Sequence, residues 1–327
     1  MGLFNIVCEA LFAALETPIM YFGKFSPRML GGLTLALACS FVQPVSAQVG
    51  NPNFDAAGLA RSIQWQTGPC KVTMRNIGEL NVPTGFKFTG EAGTATVMKL
   101  TANLVQPNDL GLLCPVDMYG ANPGVGDQWF LVFSWDDVGY VKDDEKGNLD
   151  ANAILQSLQA AQEQANKQLA AQGLPTATLV GWQQAPFYDP QTNHLTWATK
   201  VRSTRAMPGG GFEETINYNS RILGRGGVVS ANLVIAPHLL DRNLAKYKEI
   251  LQGYSFQPGQ KYSEWRQGDK VAAVGLTALI SGGLVAAAAK SGILGKLGKF
   301  IIYIVVGVCA AVGGLFKKIF GSKADAQ

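Results

Sequence analysis

The last 57 residues most constrain this chain. From position 271 to 327 there are six lysines against one acid, Asp325, and two apolar stretches, 271–289 and 300–316. The second stretch is bracketed by Lys299 and by Lys317-Lys318, and its 17 residues at 1.5 Å each nearly match a hydrocarbon core of about 30 Å. The pattern predicts a transmembrane helix over 300–316, followed by a basic tail, 317–327. Stretch 271–289 has the length of a span but is rich in Ala and Gly. A span is favoured over a surface helix or a buried core helix. The tail is thus read as one transmembrane helix or a helical hairpin. Three lysines precede the second stretch and three follow it, so the positive-inside rule leaves the orientation open.

The other end is also apolar. Lys24 and Arg28 precede an apolar run over 29–42, and small residues at Val45 and Ala47 suit signal-peptidase cleavage before Gln48. Residues 1–47 therefore read as a signal peptide, with an N-terminal membrane anchor as the alternative and Met20 or Met29 as alternative starts. What remains, 48–270, has 19 basic and 20 acidic residues. The whole formal charge of +4 belongs to the tail. A near-neutral domain argues against nucleic acid as partner.

Export makes cysteine pairing relevant. The exported region keeps Cys70 and Cys114, which can form one disulfide or remain two buried thiols.

Within 48–270 the pattern is α+β: a mostly antiparallel sheet with packed helices in one domain. Segments 78–83 and 85–89 read as strands separated by Pro83-Thr84-Gly85, and 91–102 as a short helix. The nearly continuous apolar run over 127–135 predicts a central strand. Asp150 is placed to cap a helix bearing Ile154, Leu155, Leu158, Ala161, Ala165 and Leu169 at helical spacing, ended by Gly173 and Pro175. Segments 178–182, 187–190 and 194–198 suggest strands and a hairpin arm. Strands over 215–223 and 228–235 flank Gly224-Arg225-Gly226-Gly227 as a second hairpin. Pro237 then opens a helix with Leu240, Leu244, Tyr247 and Leu251 on one face, closed by Gly253.

Four ordered blocks carry a family resemblance. They are Gly139-Tyr140-Val141-Lys142-Asp143-Asp144-Glu145 with the helix after Asp150; Gly181-Trp182, Pro186, Tyr188-Asp189 and His194 to Ala198; Asn217 to Gly227; and Asp269-Lys270-Val271-Ala272-Ala273 with Gly275-Leu276. Together they resemble the bacterial membrane-anchored family called domain of unknown function 2167, with one departure at Val274, where Tyr is expected. The resemblance implies an envelope protein with a C-terminal membrane anchor and no established activity. A fainter likeness, to the PsbP type of α/β/α sandwich, concerns fold alone.

Several constellations are candidates for chemistry. His194 and His238 lie in different predicted elements without ligand spacing, so no metal is expected. Asp143, Asp144, Glu145 and Asp150 form an oxygen-rich loop, but lysines interleave and the calcium-loop spacing is absent. A solvated loop capping the next helix is the simpler reading. His194 with Asp189 could serve as base and orienter, with Ser220 or Ser230 as nucleophile, although no nucleophile elbow occurs. Arg221 and Arg225 in the Gly-rich segment could pair an anion, but no Walker ending follows. The simpler reading pairs these arginines with the 143–145 loop. Trp129, Trp135, Trp182 and Trp197 read as core. No cofactor is expected.

The function expected from all this is a membrane-anchored accessory or interaction module whose main domain is periplasmic, tethered to the inner membrane. Its partners would be membrane lipid, through the tail, and an envelope protein. Catalysis is the weaker expectation. The alternative is an envelope hydrolase or small-ligand enzyme using Asp189, His194 and Arg225.

Overall fold

The computed structural model describes residues 56–281, apart from 102, 104, 119–126, 172–175 and 207–211. The signal peptide, the stretch 300–316, the basic tail and the Gly173-Pro175 helix stop therefore lie outside the described residues.

An eight-stranded antiparallel sheet dominates. Its strands are β1 (Gln66–Thr67), β4 (Phe86–Gly90), β5 (Asp109–Pro115), β6 (Trp129–Asp136), β7 (Ala177–Asp189), β8 (His194–Ala206), β9 (Phe212–Leu223) and β10 (Val228–Ile235). They run in the order β1-β4-β5-β6-β10-β9-β8-β7. A second sheet has β2 (Cys70–Met74) and β11 (Tyr254–Phe256) flanking β3 (Gly78–Val82). The Pro83-Thr84-Gly85 turn carries the chain from the small sheet into the large one, rather than closing a hairpin.

The helices are α1 (Ala56–Ser62), α2 (Glu91–Leu100), α3 (Ala151–Ala171), α4 (Leu240–Gln252) and α5 (Leu276–Ser281). Side chains alternate across the large sheet, so each face has its own core. On one face Leu113, Trp129, Leu131, Phe133, Ala231 and Leu233 pack under the small sheet and α4. On the other face, Leu112, Cys114, Phe130 and Val234 meet α2 at the β5 end. Leu195, Trp197 and Val201 meet Ile154, Leu158, Leu276, Leu279 and Ile280 of α3 and α5 at the β7 end. Strands β5, β6 and β10 are covered on both sides, which explains their near-continuous apolar runs.

The local expectations for β3, β4, α2, β6, the β9–β10 hairpin and α4 hold. Asp150 Oδ1 accepts the Asn152 and Ala153 amides at 3.0 Å each, capping α3. Ala161, expected on the packed face of α3, is exposed. The three short segments expected over 178–198 resolve into two 13-residue strands, β7 and β8. Bulges near Gly181 and Gln184 bend the outer strand. Pro186 is tolerated there because an edge strand leaves one row of N–H groups unpaired.

Two expectations need correction. Cys70 and Cys114 are free thiols. Cys70 packs into the core beneath the small sheet, whereas Cys114 is buried against α2, so the large sheet separates them. The stretch 271–289 does not start as a membrane span. Val271 bridges to Tyr140, and α5 buries Leu276, Leu279 and Ile280 against α3, so the domain runs on past Lys270 to at least Ser281. Among the described residues no helix is long and apolar enough to cross a membrane.

One buried carboxyl opposes the fold at neutral pH. Asp109 is 8% exposed at the start of β5 and accepts the Gln106 amide at 3.3 Å. Burial pushes its pKa from 3.8 up to about 6, only partly offset by that amide and by Arg75. A carboxyl with a raised folded pKa destabilises once it ionises, so its cost is complete above pH 6 and absent below the unfolded value. Asp109→Asn is expected to raise stability at pH 8 by about 2 kcal/mol, with the gain fading towards pH 4. Urea melts at the two pH values check this; equal changes at both would refute it.

Candidate functional site

Three of the four sequence blocks meet at one end of the large sheet, beside the β9–β10 loop. Gly139 lies at φ +92°, donates its amide to the Gly226 carbonyl at 2.9 Å, and leaves no room for a Cβ, which would sit 2.6 Å from the Lys270 carbonyl oxygen. Next to it Tyr140 donates to the Lys270 carbonyl and accepts from the Ala272 amide, both at 2.8 Å. The segment 257–275 is thereby laid as a strap across the end of the sheet.

Side chains lock this strap. The Arg225 fork donates through Nε and Nη2 to the two Asp269 oxygens at 2.7 Å each, and the Arg266 amide also donates to Asp269 at 2.7 Å. These donors, Arg225 first, hold the Asp269 pKa down at about 2, while Asp269 in turn raises that of Arg225. The ring of Tyr140 stacks on Tyr262 at 4.4 Å and 15°, with Trp265 at 5.3 Å on the same ring. Such aromatic pairs contribute about 0.5–1.5 kcal/mol beyond their burial. Tyr262 Oη donates to the Val141 carbonyl at 2.8 Å. Finally, Glu145 Oε2 accepts the Thr277 amide at 2.7 Å and so caps the start of α5. Gly275 permits this approach, since a Cβ there would lie 2.1 Å from Glu145 Oε1.

The expected pairing of both arginines with the 143–145 loop is therefore corrected. Arg225 reaches Asp269, and Arg221 lies inside the sheet with its guanidinium 4.9 Å from the Trp197 ring centroid. They differ because Arg225 sits in the loop, whereas Arg221 sits within β9 opposite Ser230. Burial lowers the Arg221 pKa, with Asp136 opposing, and its Nε has no hydrogen-bond partner. The oxygen-rich loop divides its carboxylates: Asp143 pairs with Lys146 at 3.0 Å, Glu145 caps α5, and Asp150 caps α3.

Asp189 and His194 face each other in register across the β7–β8 turn. Asp189 is occupied in the turn, accepting the Gln191 amide at 2.9 Å and the Thr192 hydroxyl at 2.8 Å. These bonds, the amide first, lower its pKa. His194 is half-buried, and that burial lowers its pKa despite Asp189 nearby. No hydrogen bond joins it to either serine. Ser220 bonds to Tyr247 Oη at 2.8 Å, and Ser230 donates to Asp136 at 3.1 Å. The expected orienter and both expected nucleophiles thus bond to groups other than His194.

The clamp's key acid, Asp269, was missed as a site residue although it belongs to the fourth block; only its position beside the tail could have marked it. Tyr262 and Trp265 carried no signal beyond being aromatic.

The fold and this clamp define a class: an antiparallel α+β domain whose C-terminal strap is fixed to the sheet immediately ahead of an apolar tail. The sequence profile of the family described as "Protein of unknown function (DUF2167)" matches residues 66–313, and the chain belongs to that family. No curated protein matches the chain significantly. Among solved structures, the solution structure of cyanobacterial PsbP (CyanoP) from Synechocystis sp. PCC 6803 is similar at 13% identity and a TM-score of 0.31, covering 60% of this chain and 93% of that one.

Proposed function

We propose that this protein is an accessory or interaction module, held at the periplasmic face of the inner membrane by its C-terminal segment. The observation that carries the reading is the strap clamp. Arg225–Asp269, the Tyr140–Tyr262 stack and the Glu145 cap fix the sheet to the residues that lead into the apolar tail. The strap and α5 carry packed structure past Lys270 as far as Ser281, in place of a flexible linker over those residues. The leader pattern at 1–47 and the lysine-bracketed stretch at 300–316 supply the export and anchoring halves of the reading. The hydrolase alternative has less support, because Asp189, Ser220 and Ser230 each bond to groups other than His194.

Alkaline carbonate extraction of bacterial membranes tests the reading. The full chain is expected to stay in the membrane pellet, and a chain ended after Ser281 to be released as a soluble periplasmic protein. Release of the full chain, or recovery of the shortened chain in the cytoplasm, would refute it.

A further inference from the structure

The face of the large sheet that carries α2 and α3 is not covered throughout. Phe130 and Val234 are buried at the α2 end, and Leu195 and Trp197 at the α3 end. Between these covers two rows of side chains cross β9, β10 and β6. In one row Arg221 stands opposite Ser230, and Ser230 opposite Ser134. In the next, Asn219 stands opposite Asn232, and Asn232 opposite Val132. Directly opposed residues share a face, and the β8 partners of the two rows, Leu195 and Trp197, fix which face it is. Ser230 is buried, whereas Arg221, Ser134, Asn219, Asn232 and Val132 are half-buried. The sheet thus opens a polar window between its two helical covers.

Arg221 is the cation of these rows, and it has no counter-charge of its own. Among the described residues no carboxylate pairs with it and no hydrogen bond engages its guanidinium. Asp136 acts on it from nearby, but the Asp136 oxygens accept from Asn108 Nδ2 at 3.0 Å and from the Ser230 hydroxyl at 3.1 Å. The Trp197 ring, its centroid 4.9 Å from the guanidinium carbon, supports the fork from the sheet. Nε is sealed from solvent, whereas Nη1 and Nη2, equally unbonded, keep access to it. Partly desolvated guanidinium groups are normally paired, and a fork of two N–H groups matches the two oxygens of a carboxylate. One cation with an acid close by balances a single negative charge. A phosphate, with about two negative charges, would call for a second cation. We propose that this window binds the carboxylate of a small organic acid, with Arg221 Nη1 and Nη2 donating to its two oxygens. The neutral Asn219 and Asn232 in the adjacent row suit a polar remainder rather than a hydrocarbon chain. The proposal does not depend on the anchoring reading.

The test uses the full chain in detergent micelles and follows the Arg221 Nε–H resonance, assigned by its loss in Arg221→Gln. N-acetylglycine is the carboxylate probe, N-acetylglycinamide its uncharged counterpart, and inorganic phosphate the competing anion. Saturable movement with N-acetylglycine is expected, with none from the amide and weaker binding of phosphate. Arg221→Gln, read on the Asn232 side-chain amide, is expected to weaken N-acetylglycine binding at least about tenfold, as for the loss of charged hydrogen bonds. Should that variant fail to fold, Arg221→Lys keeps the charge and removes the fork, and its binding is expected to fall about tenfold. No saturable movement with N-acetylglycine, equal movement with N-acetylglycinamide, phosphate binding as tight as that of the carboxylate, or unweakened binding by a folded variant would overturn the proposal.

Discussion

Alanine at position 139 is expected to destabilise the protein by about 2–4 kcal/mol and to free the strap. Two costs combine. A residue with a Cβ is strained at φ +92°, by about 1–2 kcal/mol. The new methyl would also lie 2.6 Å from the Lys270 carbonyl oxygen, and backbone cannot yield as a flexible side chain can. Relief requires the strap to lift, which breaks the paired Tyr140 and Ala272 hydrogen bonds. Gly147→Ala is a matched control, because a Cβ there meets nothing within 4 Å. Denaturant melts of the two variants check the difference; equal effects would refute the steric account.

Leu279→Ala is expected to cost about 2–4 kcal/mol and to undock α5 from α3. Leu279 is 2% exposed and packs with Leu276 and Ile280 into the core shared with Ile154 and Leu158. Truncating a buried leucine removes transfer energy and leaves a cavity. Because α5 has only six residues and lies at the end of the described chain, the loss should show first as local opening. Limited proteolysis is then expected to cut near α5 before the sheet unfolds. A variant as resistant as the parent would mean that α5 contributes little to the domain.

Legibility of the fold followed the range of the interactions. The β9–β10 hairpin and α3 were readable because their signals are local: a four-residue Gly-rich loop in register from Leu223 to Val228, and a capping Asp150. Strand β5 was not, since burial on both faces erases the alternation that marks a half-buried strand. Segments 178–182 and 187–190 were expected to be separate, with Pro186 in the gap, yet one edge strand runs through both and takes up the irregularity in bulges. The small sheet needed β11 to pair with β3, more than 170 residues earlier in the chain, and no local pattern encodes that return.

The site was legible in its blocks but not in its partners. Arg225 was singled out, but charge alone cannot choose between Asp144 and Asp269; only the strap's path decides. Leu276, Leu279 and Ile280 show the same apolar spacing whether they face lipid or α3, and the structure puts them against α3. The open strip around Arg221 left no mark in sequence, because it depends on where α2 and α3 stop covering the sheet.

Amide hydrogen exchange on the full chain, read at Tyr140, Arg225 and Ala272, tests the clamp most directly. All three amides donate across the strap contact, to Lys270, Gln260 and Tyr140. Slow exchange at these amides, comparable to that of β9 and β10, is the predicted result. Rapid exchange there while the sheet stays protected would contradict a strap fixed to the domain.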